Sequence, residues 1–221
     1  MCQTKYQTLF IIILVIAILG FNQVNAKVSA EWPLLGKIIY IDPGHGGRDP
    51  GAIAGSTIEK DLNLQVSLLL ENELLKQGAI VYMTRTLDVD LSSKWDRLKK
   101  RGDLYRRILL YKKNNADLYL SIHMNSHSNS NMNGVEVLYN KINKNNIKLA
   151  TIMMENFKST LKVKKRLKST DLYMYKNTTT PGVLIECGFI SSSKDRHLLK
   201  NKSYQKKLAN IITTSVIEYF S

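Results

Sequence analysis

Cysteine is scarce in this chain, which excludes a fold held together by several disulfides. Only Cys2 and Cys187 occur in 221 residues. Cys2 lies near the N-terminus, so Cys187 has no partner in the rest of the chain. A catalytic thiol is one interpretation, because Cys187 adjoins Glu186. A lone cysteine after the apolar residues 183–185 is more often a small buried hydrophobe, so we predict that Cys187 packs in the core.

Long hydrophobic runs are also absent, except for Leu9–Leu19 near the N-terminus. This run follows Lys5, precedes the small residues of 24–26, and is short for a membrane-spanning helix. We therefore predict that residues 1–26 form a signal peptide or, alternatively, an N-terminal membrane anchor. No cysteine directly follows the run, so we expect no lipoprotein anchor. Residues 27–36 form a linker, and the domain of residues 37–221 works outside the cytoplasmic membrane.

Acidic residues are few relative to basic ones. The chain has 18 Asp and Glu against 32 Lys and Arg, a formal net charge of +14. Basic residues cluster at 94–113 and 158–168, but without interleaved aromatics, zinc-finger spacing or a helix-turn-helix signal. We expect no nucleic-acid partner. A solvated positive face is one interpretation, and an anionic wall or membrane surface is the partner that suits an exported protein.

Apolar periodicity predicts a single α/β domain with a largely parallel sheet, because strands alternate with helices along the chain. The predicted strands are 37–41, 79–83, 117–122, 135–139 and 182–185, with a weaker one at 172–175. The predicted helices are a first one from Glu59 to Gly78 and four more at 93–114, 146–160, 193–200 and 203–220. Sites in such folds form beyond the carboxyl ends of the strands.

Two histidines and two glutamates lie where the predicted strands end or a helix begins. His45 stands in a glycine-rich loop, His123 follows the strand 117–122, Glu186 follows the strand 182–185, and Glu59 opens a helix. Two imidazoles and a carboxylate can hold zinc with one position open, and a second carboxylate can act on water. The set therefore predicts a metal-dependent hydrolase.

Competing interpretations exist for these positions. Glu59 is also suited to a helix N-terminus electrostatically, and Glu186 could be a structural carboxylate paired with Arg85. His127 competes with His123 as a ligand, although its Asn- and Ser-rich loop gives poor positional control. His197 is expected to be an exposed helix residue.

Several motifs, in this order, resemble the zinc-dependent N-acetylmuramoyl-L-alanine amidases of the amidase type 3 family. They are DPGHGGRDPGA, IEKDLNL, Thr84-Arg85, ADLYLSIHMN, GVEVLY and TPGVLIECGFIS. The resemblance implies one zinc ion held by His45, Glu59 and His123, a catalytic Glu186, and a single domain with a twisted mixed sheet flanked by helices. Residues 87–113 depart from the family pattern, so no groove residue is inferred there.

The resemblance also implies a biological setting. The substrate would be the lactyl–L-alanine amide of peptidoglycan, and the short chain is most similar to sporulation-specific members that prepare muramic-δ-lactam in the spore cortex for germination. Because no wall-binding repeat accompanies the domain, we expect targeting through the N-terminal segment, the basic surface or a lipoprotein activator. The location would be the cell wall or the forespore intermembrane space. Alternatives are a zinc peptidase acting within the stem peptide and a non-enzymatic scaffold.

Overall fold

The structure is a computed structural model that describes Leu14 and residues 31–163, 166–173 and 178–221. Apart from Leu14, the predicted signal peptide or anchor lies outside the described residues, and so does the first part of the linker. Within the described ranges, no helix combines the length and apolar character that a membrane crossing requires.

The described elements alternate between strands and helices, as the periodicity predicts. The strands are β1 (Ile38–Pro43), β2 (Ile53–Ala54), β3 (Thr57–Ile58), β4 (Ile80–Met83), β5 (Leu118–Asn125), β6 (Glu136–Tyr139), β7 (Leu167–Ser169) and β8 (Gly182–Phe189). The helices are α1 (Glu59–Lys76), α2 (Lys99–Lys113), α3 (Lys144–Leu161), α4 (Ser193–Leu199) and α5 (Lys202–Phe220).

One six-stranded sheet runs through the domain in the order β4-β1-β5-β8-β6-β7. The strands β4, β1, β5 and β8 are mutually parallel, whereas β6 runs antiparallel to β8. β7 then pairs parallel with β6. The prediction of a single α/β domain with a largely parallel mixed sheet is confirmed. β2 and β3 form a separate two-stranded hairpin just before α1.

Strand alternation divides the core into two layers. Ile39 and Ile41 of β1 face the larger cluster, which also contains the buried positions of α1, α3 and α5. Tyr40, between them, faces a smaller cluster in which α2 contributes Ile108 and Tyr111. Successive side chains of a strand point to opposite faces, so α2 covers one face of the sheet and the other long helices cover the opposite one.

The helix predicted for residues 93–114 is shorter in the structure and begins at Lys99. The preceding segment turns back, because the Asp96 carboxylate lies against Gly102 and accepts from Arg106 at 2.5 Å. Trp95 and Leu98 lie within the predicted range, but both precede the helix and are exposed. The first part of the predicted helix therefore does not contribute to the core.

The structure also differs from the prediction at the far edge of the sheet. β7, at Leu167–Ser169, was not predicted, because a short edge strand needs little burial and its sequence carries no apolar alternation. The weak strand predicted at residues 172–175 is absent over 172–173, and the rest of it lies outside the described residues. β5 and β8 continue to Asn125 and Phe189, so His123 and Glu186 lie within strands near their carboxyl ends.

Candidate metal centre

Three elements bring the predicted ligands to one edge of the sheet. His45 lies in the loop that follows β1, and the Gly44 amide in that loop donates to the Ile122 carbonyl of β5 at 2.9 Å. His123 comes next on β5, so β5 carries one imidazole beside the loop that carries the other. Glu59, the first residue of α1, reaches the same place from the opposite layer.

A single carboxylate oxygen lies between the two imidazoles. Oε1 of Glu59 is 3.1 Å from Nε2 of His45 and 3.0 Å from Nδ1 of His123. The two rings are 4.9 Å apart between centroids and inclined at 77°. The three ligand atoms all lie within 4.8 Å of one another, and no other such group of His, Cys, Asp or Glu occurs in the described ranges.

This donor set fits a zinc ion. Two imidazole nitrogens and one carboxylate oxygen are a ligand combination of catalytic zinc sites, which keep a fourth position open. Nδ1 of His45 bonds Oδ2 of Asp49 at 2.9 Å, the outer contact that fixes the orientation of a ligating imidazole. Oε2 of Glu59 likewise accepts from the Ala52 amide at 2.8 Å.

The charges of these groups favour the binding of a cation. Burial opposes ionisation of Glu59, but the hydrogen bonds and charges of His123 and His45 outweigh it and hold the Glu59 pKa well below its usual range. Burial also opposes the charged form of His45, yet Glu59 and Asp49 raise its pKa. A carboxylate held ionised against two imidazoles is suited to a cation.

Two glycines leave the space that the ligands occupy. A Cβ on Gly51 would lie 2.5 Å from Oε2 of Glu59 and 2.6 Å from the His45 ring. A Cβ on Gly44 would overlap the His123 ring. His45 itself has a φ of 61°, a left-handed conformation that few side-chain-bearing residues adopt. The loop is therefore shaped around the ligands at a backbone cost.

Two buried arginines hold that loop in place. Arg85 donates to the carbonyls of Pro43 and Gly44 at 3.0 and 2.9 Å. Arg107, from α2, donates to the carbonyls of Pro43 and His45 at 2.8 and 2.7 Å and pairs with Asp42 at 2.7 Å.

Arg85 therefore does not serve as the partner of Glu186, an alternative that the sequence left open. The role of Arg107 was not predicted, because helical periodicity does not distinguish a buried arginine from the basic residues around it.

Glu186 lies beside the ligands on the same face of the sheet. It is the register partner of His123 across β5 and β8, and of Glu136 across β8 and β6. Its Oε2 is buried and makes no hydrogen bond to any described residue. Burial, followed by the neighbouring carboxylates, raises the pKa of Glu186 to about 7 against the opposing charge of His123. Such a carboxyl can both accept and return a proton near neutral pH.

The remaining candidates lie elsewhere. His127 is exposed in the loop after β5, where its Nδ1 accepts from the Asn129 amide. His197 is exposed on α4, as predicted. Cys187 is fully buried in the larger core cluster, and burial raises the pKa of its thiol far above the usual range. The structure therefore agrees with the packing interpretation of Cys187.

The ligands open onto a cavity of about 180 Å³ on the α2 face of the sheet. His45 and His123 line it, together with the apolar side chains of Leu104, Leu172, Tyr173 and Leu184. A substrate carbonyl could therefore reach the ligand side while the rest of the molecule lies against an apolar surface.

Comparison with known proteins identifies a family. A family model described as N-acetylmuramoyl-L-alanine amidase matches residues 39–218. The germination-specific N-acetylmuramoyl-L-alanine amidase of Bacillus subtilis is 36% identical over 219 residues, covering 96% of this chain and 92% of that protein.

Solved structures give the same result. The CwlD amidase of Clostridioides difficile, solved in complex with the GerS lipoprotein, is 34% identical with a TM-score of 0.80, and the match covers 83% of this chain and 98% of that one. An N-acetylmuramoyl-L-alanine amidase of Clostridium difficile 630 is 33% identical with a TM-score of 0.74, over 83% and 96% of the two chains.

Proposed function

The chain belongs to the N-acetylmuramoyl-L-alanine amidase family, and from that premise we propose that it is a zinc enzyme with three named ligands. His45, Glu59 and His123 hold the ion, and Glu186 is the catalytic carboxylate. The substrate bond is the amide between the lactyl group of muramic acid and L-alanine. The observation that carries the proposal is the single Glu59 oxygen placed about equally far from two imidazole nitrogens.

The chemistry follows from the positions of these groups. Zinc, when bound, supplies a Lewis acid that acidifies water and stabilises negative charge on the substrate oxygen. Glu186 accepts the proton from the attacking water, which its raised pKa allows near neutral pH. The same carboxyl, now protonated, returns the proton to the departing alanine nitrogen. The apolar side chains that line the cavity lie beside this exchange.

We further propose that the enzyme acts in the spore cortex, where it prepares muramic-δ-lactam for germination. Supporting this is the likeness to a germination-specific amidase over almost the whole chain. A similar amidase is described in complex with a lipoprotein, which supports a lipoprotein activator here as well. Residues 1–26 would deliver the enzyme across the membrane, as a cleaved signal peptide or as an anchor, to the forespore intermembrane space.

The test of the catalytic role is Glu186→Gln. This change keeps the shape of the side chain but removes its ability to carry a proton. Turnover of peptidoglycan should fall by about 10²- to 10⁴-fold, while zinc content, measured by elemental analysis, stays at the wild-type level. The control is Glu155→Gln on the exposed side of α3, which should leave both unchanged.

Mass spectrometry of the digested muropeptides identifies the bond that is cut. An amidase releases intact stem peptides that begin with L-alanine, whereas a zinc peptidase releases fragments of the stem. Fragments starting at an internal residue would contradict the proposed bond. Wild-type turnover by the Glu186→Gln variant would contradict the role of Glu186, and activity that survives removal of all metal would contradict zinc.

A further inference from the structure

A second cavity adjoins the one at the metal ligands. It is about 220 Å³ in size, and three residues, Asp49, Lys100 and Asp103, line both cavities. The two cavities are therefore parts of one groove, which leads from His45 and His123 past the first turn of α2. We call this the α2 groove.

The carboxylates of the α2 groove already have partners. The pairs are Asp49 with His45 at 2.9 Å, Asp90 with Arg48 at 3.1 Å, and Asp103 with Arg107 at 2.7 Å. Each of these carboxylates therefore has a direct partner, and Arg107 also pairs with Asp42. A positively charged substrate group would have to compete with them.

Among the described residues, the two lysines of the groove form no such ion pairs. Lys99 donates to the backbone carbonyls of Ser93 and Lys94, at 2.9 and 2.8 Å, and no carboxylate of the described ranges pairs with it. Lys100 is exposed and makes no hydrogen bond or ion pair to any residue that the structure describes. The charge of Lys100 contributes to the lowered pKa of Asp49, but the Asp49 carboxylate already bonds His45. Lys100 is therefore a cation of the groove that no described carboxylate contacts directly.

The substrate of the proposed reaction has free carboxylates on one side of the cut bond only. On the glycan side, the carboxyl group of muramic acid is consumed in the amide itself. On the peptide side, the second residue of the stem is a glutamate joined through its side chain, which leaves its α-carboxylate free. That carboxylate lies within about 4–7 Å of the scissile nitrogen in an extended stem, a distance comparable with the reach of a lysine side chain.

We propose that Lys100 binds the α-carboxylate of the second stem residue and thereby directs the stem peptide into the α2 groove. This inference rests on the proposed function and adds its peptide specificity. The apolar wall at Leu104 and Tyr173 then contacts the stem rather than the sugar. An ammonium at this position distinguishes a stem with a free carboxylate from one whose carboxylate has been amidated, since the amide carries no charge.

The experiment combines a variant with a substrate change. Full-length wild-type protein and Lys100→Met are each given two muropeptides, one with a free α-carboxylate at the second residue and one with a carboxamide there. Lys100→Met should raise KM about tenfold for the free acid and leave KM for the amidated substrate within about twofold. Lys100→Arg should retain most of the wild-type preference, because it keeps the charge.

Two further measurements separate the inference from general effects. Lys112→Met, on the exposed side of the same helix, removes an equal charge outside the groove and should change neither KM. Calorimetry with the released stem peptides reports binding without turnover, and Lys100→Met should weaken binding of the free-acid peptide about tenfold.

The outcomes are distinguishable. Equal loss on both substrates, or no loss on either, would overturn the role of Lys100 while leaving the amidase proposal intact. A wild-type protein that binds zinc yet cleaves neither muropeptide, with or without a lipoprotein activator, would overturn the proposed function and this inference together.

Discussion

Around the proposed metal centre, the glycines, which lack a side chain, matter as much as the residues that have one. Gly51 has a φ of +67° and its Cα hydrogen faces Glu59 and His45, so any larger residue would occupy the position of a ligand. Gly44 stands in the same relation to His123. The glycine-rich loop is thus explained by close approach of backbone to ligand side chains, and the loop tolerates little change.

Gly51→Ala tests this reading directly. The added Cβ would lie 2.5 Å from Oε2 of Glu59, which must then move away from the imidazoles. We expect zinc content and amidase activity to fall at least tenfold, with a loss of stability of about 1–2 kcal/mol from the left-handed backbone. Elemental analysis, a turnover assay and thermal unfolding measure the three effects.

The matched control is Gly55→Ala. Gly55 has nearly the same φ, +60°, but a Cβ there meets nothing within 4 Å. It should lose a similar amount of stability and keep zinc and activity. If both variants keep zinc equally, the space beside the ligands is not limiting, and the argument from Gly51 is wrong.

Some residues around this site could be predicted from the sequence and others could not. His45, Glu59, His123 and Glu186 were identified because each stands at a strand end or a helix start, and the structure brings the three ligand candidates together. Arg107 was not identified, since its role depends on burial against carbonyls of a loop about sixty residues away in the chain. No local pattern records such a contact.

Helix α2 holds the loop after β1 in place through Arg107. Arg107 is 1% exposed and pairs with Asp42, which is also 1% exposed. Burial disfavours ionisation of Asp42, but the Arg107 charge lowers its pKa below the usual value. Each of the two buried charges is therefore stabilised by the other. The pair therefore connects the middle of α2 to the end of the strand that precedes His45.

Arg107→Met should therefore be severely destabilising. Removing the guanidinium leaves Asp42 buried without its cation and frees the carbonyls of the loop, at a cost of about 3–5 kcal/mol. Chemical denaturation at neutral pH measures it. Because a protonated Asp42 no longer needs a cation, the difference from wild type should shrink as the pH falls below the ordinary carboxyl pKa.

The neighbouring residue provides the control. Arg106 pairs with Asp96 at the surface, with side chains 36% and 22% exposed. Arg106→Met should cost far less stability than Arg107→Met, since exposed ion pairs contribute little. Similar losses from the two variants would show that burial of the Arg107 pair is not what stabilises the loop.

Taken as one molecule, the domain joins its two layers at the proposed metal centre. His45 and His123 belong to the central strands and their loop, whereas Glu59 belongs to a helix on the opposite face from α2. An ion bound by all three would bind the folded chain and not the unfolded one. Metal and fold should then be thermodynamically linked.

This linkage predicts a zinc-dependent melting temperature. At free zinc one hundred times its Kd, the folded state gains about 2.7 kcal/mol, which corresponds to roughly 5–10 °C for a domain of this size. Chelation should reverse the shift. Glu59→Ala should abolish most of it, whereas Glu155→Ala on the exposed face of α3 should retain it. A full zinc-induced shift in the Glu59→Ala variant would mean that this carboxylate serves only the helix N-terminus.

The order of apolar and polar residues predicted the α/β class and most element positions, because periodicity is a local property of a chain. The motifs that resemble the amidase family added the roles of the four candidate site residues. The tertiary structure decided the rest. It placed one Glu59 oxygen between two imidazoles. It extended β5 beyond His123 and β8 beyond Glu186, and it buried Arg107 beneath the loop that carries His45. Those features depend on packing between segments distant in sequence, where burial and charge pairing are set by neighbours that no local pattern specifies.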